Sequence, residues 1–586
     1  MRYTIPTIKT VFASQVKHSS SFNALHVHRE RDDPPADRHR PPADRTTRRQ
    51  KVVYLQDFLG HATPPAPPIP RLRPSPTTTR ATGPPMPVNP ADPTSPGAGT
   101  TGRPPPAIAG PAAEPAHRGV LAASAAAGNG VYLGRTAEGW AFAPPQHSVL
   151  VLGPPRSGKT SSILVPNVLA ATGPVVATST KPDVLKATLD ARRRLGRCQV
   201  FDPTGRVRIP PGATPVRWSP LQGSLRWEGA LAAAHLLTEI GTSHAANASG
   251  PVHDDHWHER ARALLAPLLH AAALDGAPLS RVLTWVDRRE TLPALQILAG
   301  LPAGGAELAE GSLQSVADTD PRELSGIWST AAGALAGYRT EAALAVVERP
   351  DFDADRFVES ADTVYLCATG HRQALAAPLI VGFLADVRAA AFDRAAGAPS
   401  AATAEPMRPP VLFALDEVAN IAPIPDLPAL VSEGGGQGVT TLACLQDLSQ
   451  ARHRWGGRAD GFFSVFGTAI VLRGIGDVTT LEALSRLAGD EEVATRSVTI
   501  GRVPTGRPWS DLVTGGRWQR SVTDTTTPRP RLPLATIARG RPGEALAFDA
   551  RNQPGWITLT PAHRSEPWRT LASMGRDRTA ERGRTR

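Results

Sequence analysis

The chain has 586 residues, 64 Lys+Arg against 53 Asp+Glu, a formal net charge of +11, and 41% hydrophobic and 20% charged residues. That much apolar material excludes a wholly disordered chain and allows about three to five domain-sized units. Three cysteines, Cys198, Cys367 and Cys444, exclude a disulfide scaffold or a cysteine-rich zinc module and fit a reducing, intracellular compartment; the basic excess is compatible with a polyanionic partner without identifying one.

Residues 1–128 carry the composition of a disordered Pro/Arg-rich tail: PPADR occurs at 34–38 and again at 41–45, and residues 61–120 contain 18 prolines. A short apolar patch at 52–59 is a docking element or a transient helix within that tail. No run of about 18 apolar residues predicts a transmembrane helix, and the N-terminus lacks the apolar core of a secretory signal, so a cytoplasmic location is expected.

Folded sequence is expected from about residue 129, opening with a hairpin at 130–142. Apolar strands are predicted at 147–152, 174–178, 199–202, 363–368, 411–415, 440–445 and 469–473, most followed by helical stretches. Such alternation predicts an α/β fold with a mainly parallel sheet covered on both faces. Residues 221–350 are Ala/Leu-rich with few strand-like runs and predict an all-α insertion between the two halves of the α/β domain, 129–220 and 351–565. Residues 566–586 are expected to form a polar, Arg-rich tail.

The sharpest motif is Gly153-Pro154-Pro155-Arg156-Ser157-Gly158-Lys159-Thr160, which matches G-x-x-x-x-G-K-[ST] at every fixed position. An apolar strand precedes it, and Ser161 opens a helix-competent run after it. Glycines let backbone N–H groups converge on a phosphate, and the helix N-terminus adds positive potential. Lys159 is expected to reach the β- and γ-phosphates of ATP, and Thr160 to hold Mg²⁺ through its hydroxyl.

Such a loop needs an acid at the end of a neighbouring strand. The strand at 411–415 ends in Asp416-Glu417, with Asp416 on the metal side and Glu417 as the base that orients water. An Asp-Glu pair also suits a helix N-terminus for purely structural reasons. Gln446, at the end of the strand 440–445, is either a γ-phosphate sensor or a cap for the following helix.

With these elements in place, the chain resembles the type IV secretion coupling proteins, the TraG/TraD family of conjugative DNA-transfer ATPases. The resemblance spans most of residues 145–565 and adds Pro166-Asn167, Lys181-Pro182-Asp183, Asp202-Pro203, Trp218-Ser219-Pro220-Leu221, Asp255-His256-Trp257, Leu484 to Gly489, and Pro530 to Pro533. Ser179 stands where relatives carry an Asp.

The resemblance implies a RecA-like nucleotide-binding domain with an all-α domain inserted, hexameric rings, and ATP-driven delivery of DNA or DNA–protein substrates to a type IV secretion channel. It also implies that the helical insert recognises relaxosome or secreted substrate proteins. Many relatives carry two N-terminal membrane helices where this chain has its Pro-rich stretch, so a location at the cytoplasmic face of the membrane is expected through partners. Relatives offer an Arg in trans just before the sensor strand; here the stretch is Glu433 to Gly438, and Arg452, Arg454 and Arg473 are the substitutes.

Three features stay outside this reading. The cluster His253 to Glu259 is a polar helix entry with Trp257 packed inward, or a structural metal site. The cysteines are core residues. Arg192-Arg193-Arg194 lines a DNA-facing surface or forms a solvated helix end. The function expected is an ATP-hydrolysing coupling motor for conjugative DNA transfer. The alternatives are an FtsK-like double-stranded DNA translocase and a non-hydrolysing, nucleotide-switched substrate receptor.

Overall fold

The computed structural model describes residues 51–54, 113–242, 251–300, 305–368, 373–397, 408–503 and 517–573. In chain order its strands are β1 Lys51–Tyr54, β2 Tyr132–Arg135, β3 Gly139–Phe142, β4 Val149–Leu152, β5 Val175–Ser179, β6 Cys198–Phe201, β7 Thr214–Pro215, β8 Thr363–Cys367, β9 Val411–Leu415, β10 Val439–Leu445, β11 Thr468–Val471, β12 Asp490–Val503, β13 Arg517–Pro530, β14 Glu544–Phe548 and β15 Pro554–Thr558.

Thirteen of them form one sheet in the order β1-β3-β2-β15-β14-β11-β4-β10-β9-β5-β8-β6-β7, and β12 pairs with β13. From β11 to β7 every pairing is parallel, and antiparallel β14, β15, β2 and β3 extend the sheet on the other side of β11. Strands β4, β9 and β10 are buried along their whole length, because helices cover both faces. Their side chains alternate between two cores. Leu150, Leu152, Phe413 and Leu415 face one core, shared with helix Gln373–Ala396 and the helical insert. Val149, Val151, Leu412 and Ala414 face the other, under the helices that hold Ile163, Val168, Val184 and Leu189.

Between residues 223 and 347 every described element is helical. These helices do not build a separate core: Leu237, Leu265 and Trp285 belong to the same buried cluster as Leu150 and Phe413. Trp218 stitches the start of this stretch to helix Gln373–Ala396. Its Nε1 donates to Asp386 Oδ2 at 2.6 Å, and its ring lies against Gly382, where a Cβ would come within 2.4 Å. That helix is long and apolar enough to cross a membrane by composition, but two-thirds of its most apolar window is buried inside the protein.

Several expectations need correction. Helix Ala113–Ala126 falls inside the stretch 1–128 taken as tail, yet Val120 and Ala127 are buried. The Pro-rich composition has given way there to an Ala-rich run with apolar residues on one face. Helix Trp568–Ser573 likewise falls in the expected tail 566–586. Trp568 is 1% exposed, with its ring centroid 5.7 Å from that of Trp140 and 5.1 Å from that of Tyr132. The patch at 52–59 contributes β1, parallel to β3, and its residues 55–59 lie outside the described residues, as do the PPADR repeats and nearly all of the Pro-rich stretch.

Arg192 is neither a surface nor a solvated helix end: it is fully buried. Its guanidinium donates to the carbonyls of Ala171, Gly173 and Ala361 and to Thr363 Oγ1, tying the ends of three connections together. All three cysteines are buried. Helix Pro251–Leu274 carries the expected polar entry; His256 Nε2 lies 3.5 Å from Glu323, and the Trp257 ring closes against Gly326.

The ribbon β12–β13 lies where the sequence predicts no strand. Its fourteen pairs run without a break from Asp490↔Pro530 to Val503↔Arg517.

Candidate nucleotide site

The site sits at the C-terminal edge of the parallel strands, where β10 separates β4 from β9. The chain leaves β4 toward β5 on one side and returns later as β11 on the other, which opens a crevice above β4. Gly153 begins the loop, its N–H donating to Leu445 O at 3.1 Å. A side chain there would meet Ser157 Oγ at 2.7 Å and Leu472 Cβ at 3.0 Å, so the close turn requires glycine. Arg156 and Gly158 take left-handed conformations, φ 64° and 105°, which curl the loop over the helix start. The first turns, Lys159–Leu164, are wound in the wider π form before the α-helix Val165–Ala170.

Asn167 anchors this helix. Its Oδ1 accepts from Tyr132 N at 2.7 Å, and its Nδ2 donates to the carbonyls of Tyr132 and Ile163, both at 2.9 Å.

Lys159 is buried, and its ammonium folds back on the loop, donating to Gly153 O and to Pro154 O at 3.2 Å. Thr160 Oγ1 donates to Asp416 Oδ2 at 2.7 Å. Asp416 Oδ1 is buried and has no hydrogen-bond partner among the described residues. Burial pushes the Asp416 carboxyl above the ordinary range and adjacent Glu417 adds to this, while the Thr160 hydrogen bond and Lys159 act against it. A threonine hydroxyl, a carboxylate with a spare buried oxygen and a phosphate loop are the donor set that suits a partly hydrated Mg²⁺.

Glu417 is half-buried at φ 48°, ψ 48°, an uncommon conformation for a residue with a side chain. Asn420 Nδ2 lies 3.4 Å from its Oε2.

The loop, Lys159, Thr160 and Asp416 are thus brought together, with Glu417 next in the chain. Gln446 follows Leu445, which pairs with Leu152, so it stands between the loop and the acidic strand. Its N–H donates to Gln450 Oε1 at 2.9 Å, and the cap of helix Leu448–Trp455 is Asp447, not Gln446.

Arg452 is engaged by Asp477 at 2.9 Å, and Arg454 donates to Pro423 O. Arg473 is exposed and follows β11, two residues beyond the pairing of Val471 with Leu152, so it stands level with Pro154 of the same chain.

One contributor escapes a reading of the sequence: Thr178 on β5, whose hydroxyl donates to Asp416 O at 3.0 Å and fixes the carboxylate's backbone. Its only signal is its place near the end of a strand adjacent to β9.

A family model described as type IV secretory system conjugative DNA transfer matches residues 114–508. The chain belongs to this family. Two curated relatives, both the conjugal transfer protein TraG of Escherichia coli, are 26% identical over 384 and 382 residues, 61% of this chain in each case. The chain spans 56% and 57% of their length.

Solved structures share the fold. The unbound bacterial conjugative coupling protein TrwB lacking its N-terminal segment superposes with a TM-score of 0.52 at 18% identity, covering 71% of this chain and 84% of that one. Plasmid coupling protein TrwB with the non-hydrolysable ATP analogue ADPNP gives 0.51 at 16% identity, covering 72% and 87%. The same protein with ADP and Mg²⁺ gives 0.50 at 17%, again covering 72% and 87%. The fold class is therefore the RecA-like α/β fold of these coupling proteins, a mostly parallel sheet with helices on both faces.

Proposed function

We propose that the chain is an ATP-hydrolysing coupling motor that delivers DNA, alone or with attached protein, to a type IV secretion channel. The observation that carries this reading is the contact of Thr160 with Asp416 beneath a complete phosphate loop. Membership of the conjugative DNA-transfer family and the nucleotide complexes of TrwB support it.

In this reading the backbone N–H groups from Arg156 to Ser161 cradle the phosphates, while Gly153, Pro154 and Pro155 shape the turn that aims them. Lys159 leaves the loop carbonyls for the β- and γ-phosphate oxygens. Thr160 and Asp416 would hold Mg²⁺, which neutralises charge between those phosphates. Glu417 takes a proton from the attacking water as its oxygen bonds to the γ-phosphorus and the bond to the β-phosphate oxygen breaks. Gln446 touches the γ-phosphate and reports its loss through the helix that begins at Leu448. Of the three candidate arginines Arg473 is the uncommitted one, and its position beside Pro154 favours action in cis.

A homo-hexameric ring at the cytoplasmic face of the membrane, held by the channel and by relaxosome or secreted proteins docked on the helical insert, completes the account. The test is ATP turnover by the purified chain with Mg²⁺ and DNA. Turnover no higher than that of Lys159→Ala would refute the motor.

A further inference from the structure

Ribbon β12–β13 is exposed along both strands, and it leaves the body as a two-stranded arm about 48 Å long at 3.4 Å per residue. Its foot is fixed: Arg531 N donates to Gly489 O at 3.0 Å, and Ser485 Oγ to Leu532 O at 2.7 Å. Beyond the foot its two faces differ. Cross-strand partners share a face, so one face carries Val498 opposite Val522, Ile500 opposite Arg520, and Arg502 opposite Trp518. The Arg502 guanidinium lies 4.7 Å from the Trp518 ring centroid. The other face is a ladder of hydroxyls, with Thr495 opposite Thr525, Ser497 opposite Thr523 and Thr499 opposite Ser521.

An isolated two-stranded ribbon is marginal in water. This one also holds five of the eleven exposed large hydrophobic residues in the described structure, which marks it as a contact element. Its charge selects the partner. The acids gather at the foot, where Asp490, Glu491 and Glu492 lie with Arg529; in the outer part, residues 493–503 and 517–527, there are four arginines and one acid, Asp524, which already pairs with Arg496 at 2.8 Å. Arginines and small hydroxyls are the side chains that take nucleic-acid phosphates, and an indole under a guanidinium is a stacking platform for a base. A two-stranded ribbon is also the width a major groove admits.

The helix that follows the foot, Leu534–Arg539, links it to the nucleotide loop. Gly474 N donates to Ala538 O at 2.8 Å, just after the ribbon. Gly474 itself packs on Pro154, where an added Cβ would lie 3.1 Å from Pro154 Cγ.

We propose that the β12–β13 ribbon is a nucleic-acid arm, gripping phosphates with Arg502 and Arg520, stacking a base on Trp518, and moving with the phosphate loop through Gly474. This rests on the reading of the chain as a DNA-handling motor.

The test uses the full chain and a fluorescein-labelled 45-nucleotide strand, alone and as a duplex, with anisotropy read across a salt series. The triple variant R502A/W518A/R520A is expected to bind at least one form ten-fold more weakly. Its log–log salt slope should fall by about two, one for each arginine–phosphate contact. R502K/R520K should keep most of the slope, and turnover without DNA should not change. Unchanged affinity and slope in the triple variant overturn the proposal. So does a drop in molar mass by light scattering with DNA affinity intact, which would make the ribbon a clamp on a second copy of the chain. If the wild type hydrolyses no ATP yet binds DNA through these residues, the motor reading fails and the arm stands.

Discussion

Thr160 and Asp416, 256 residues apart in the chain, are joined by a 2.7 Å hydrogen bond from Oγ1 to Oδ2. The bond leaves the other Asp416 oxygen buried and without a partner among the described residues. The fold therefore bears the cost of a poorly solvated carboxylate at the place where Mg²⁺ with nucleotide would offset it.

That cost predicts a stability effect with a definite sign. The Asp416 carboxyl is held above its ordinary range, chiefly by burial. Its favourable, protonated contribution is full below the unfolded-state value and is lost as pH rises through the folded-state value. Asp416→Asn should therefore melt higher than wild type at neutral pH in the absence of nucleotide, and the difference should close as pH falls into the ordinary carboxyl range. Mg²⁺ with ATP should raise the melting temperature of wild type by more than that of the variant, which keeps the phosphate loop and Lys159 but loses a metal ligand. Thermal melts at pH 4 to 8, with and without Mg²⁺–ATP, check both statements.

Asp386 makes a second, independent pH prediction. Burial lifts its carboxyl to about 6, although the hydrogen bond from Trp218 opposes the shift. Below 3.8 the group is protonated in both states and carries no charge penalty; the penalty grows as pH rises from there and is complete above about 6. The full penalty has an upper limit of about 3 kcal/mol. Asp386→Asn keeps an acceptor for the indole, so it should stabilise the chain at pH 8 and do so much less at pH 5. Urea melts at the two pH values decide it; equal gains would contradict the account.

Arg192 should behave as a core residue. Its removal leaves three carbonyls and a hydroxyl without their donor. Arg192→Ala should cost about 3 kcal/mol or more in a urea melt. Arg193, 40% exposed and paired with Asp190 at i,i+3, should tolerate alanine within about 0.5 kcal/mol.

The contrast between these neighbours shows where the sequence is legible. Strands β4, β9 and β10 were readable because burial on both faces demands continuous apolar runs, and the phosphate loop because its glycines and Lys159 answer a local backbone need. Arg192 was not readable: the carbonyls that accept its protons come from 171, 173 and 361, positions that only the folded sheet brings together. The ribbon has no buried face, and its apolar alternation is confined to Ser497–Ile500 within a run of Thr, Ser and Arg, too little to mark two fourteen-residue strands. Helix Trp568–Ser573 is too short to show a period; its packing on Tyr132 and Trp140, and on the cluster that holds Val120 and Ala191, fixes it in place. At the site, Asp416 and Glu417 were visible at a strand end, whereas Thr178 acts through geometry alone.

The most direct test of the central claim is steady-state ATP turnover with Mg²⁺ and DNA, compared with nucleotide affinity, for wild type and Glu417→Gln. The account predicts that the variant binds ATP as tightly as wild type while turnover falls about 10²- to 10⁴-fold, because only the proton acceptor for water is lost. Equal turnover in the two proteins would contradict it, and a wild type that binds ATP without hydrolysing it would mark the chain as a nucleotide-switched receptor instead.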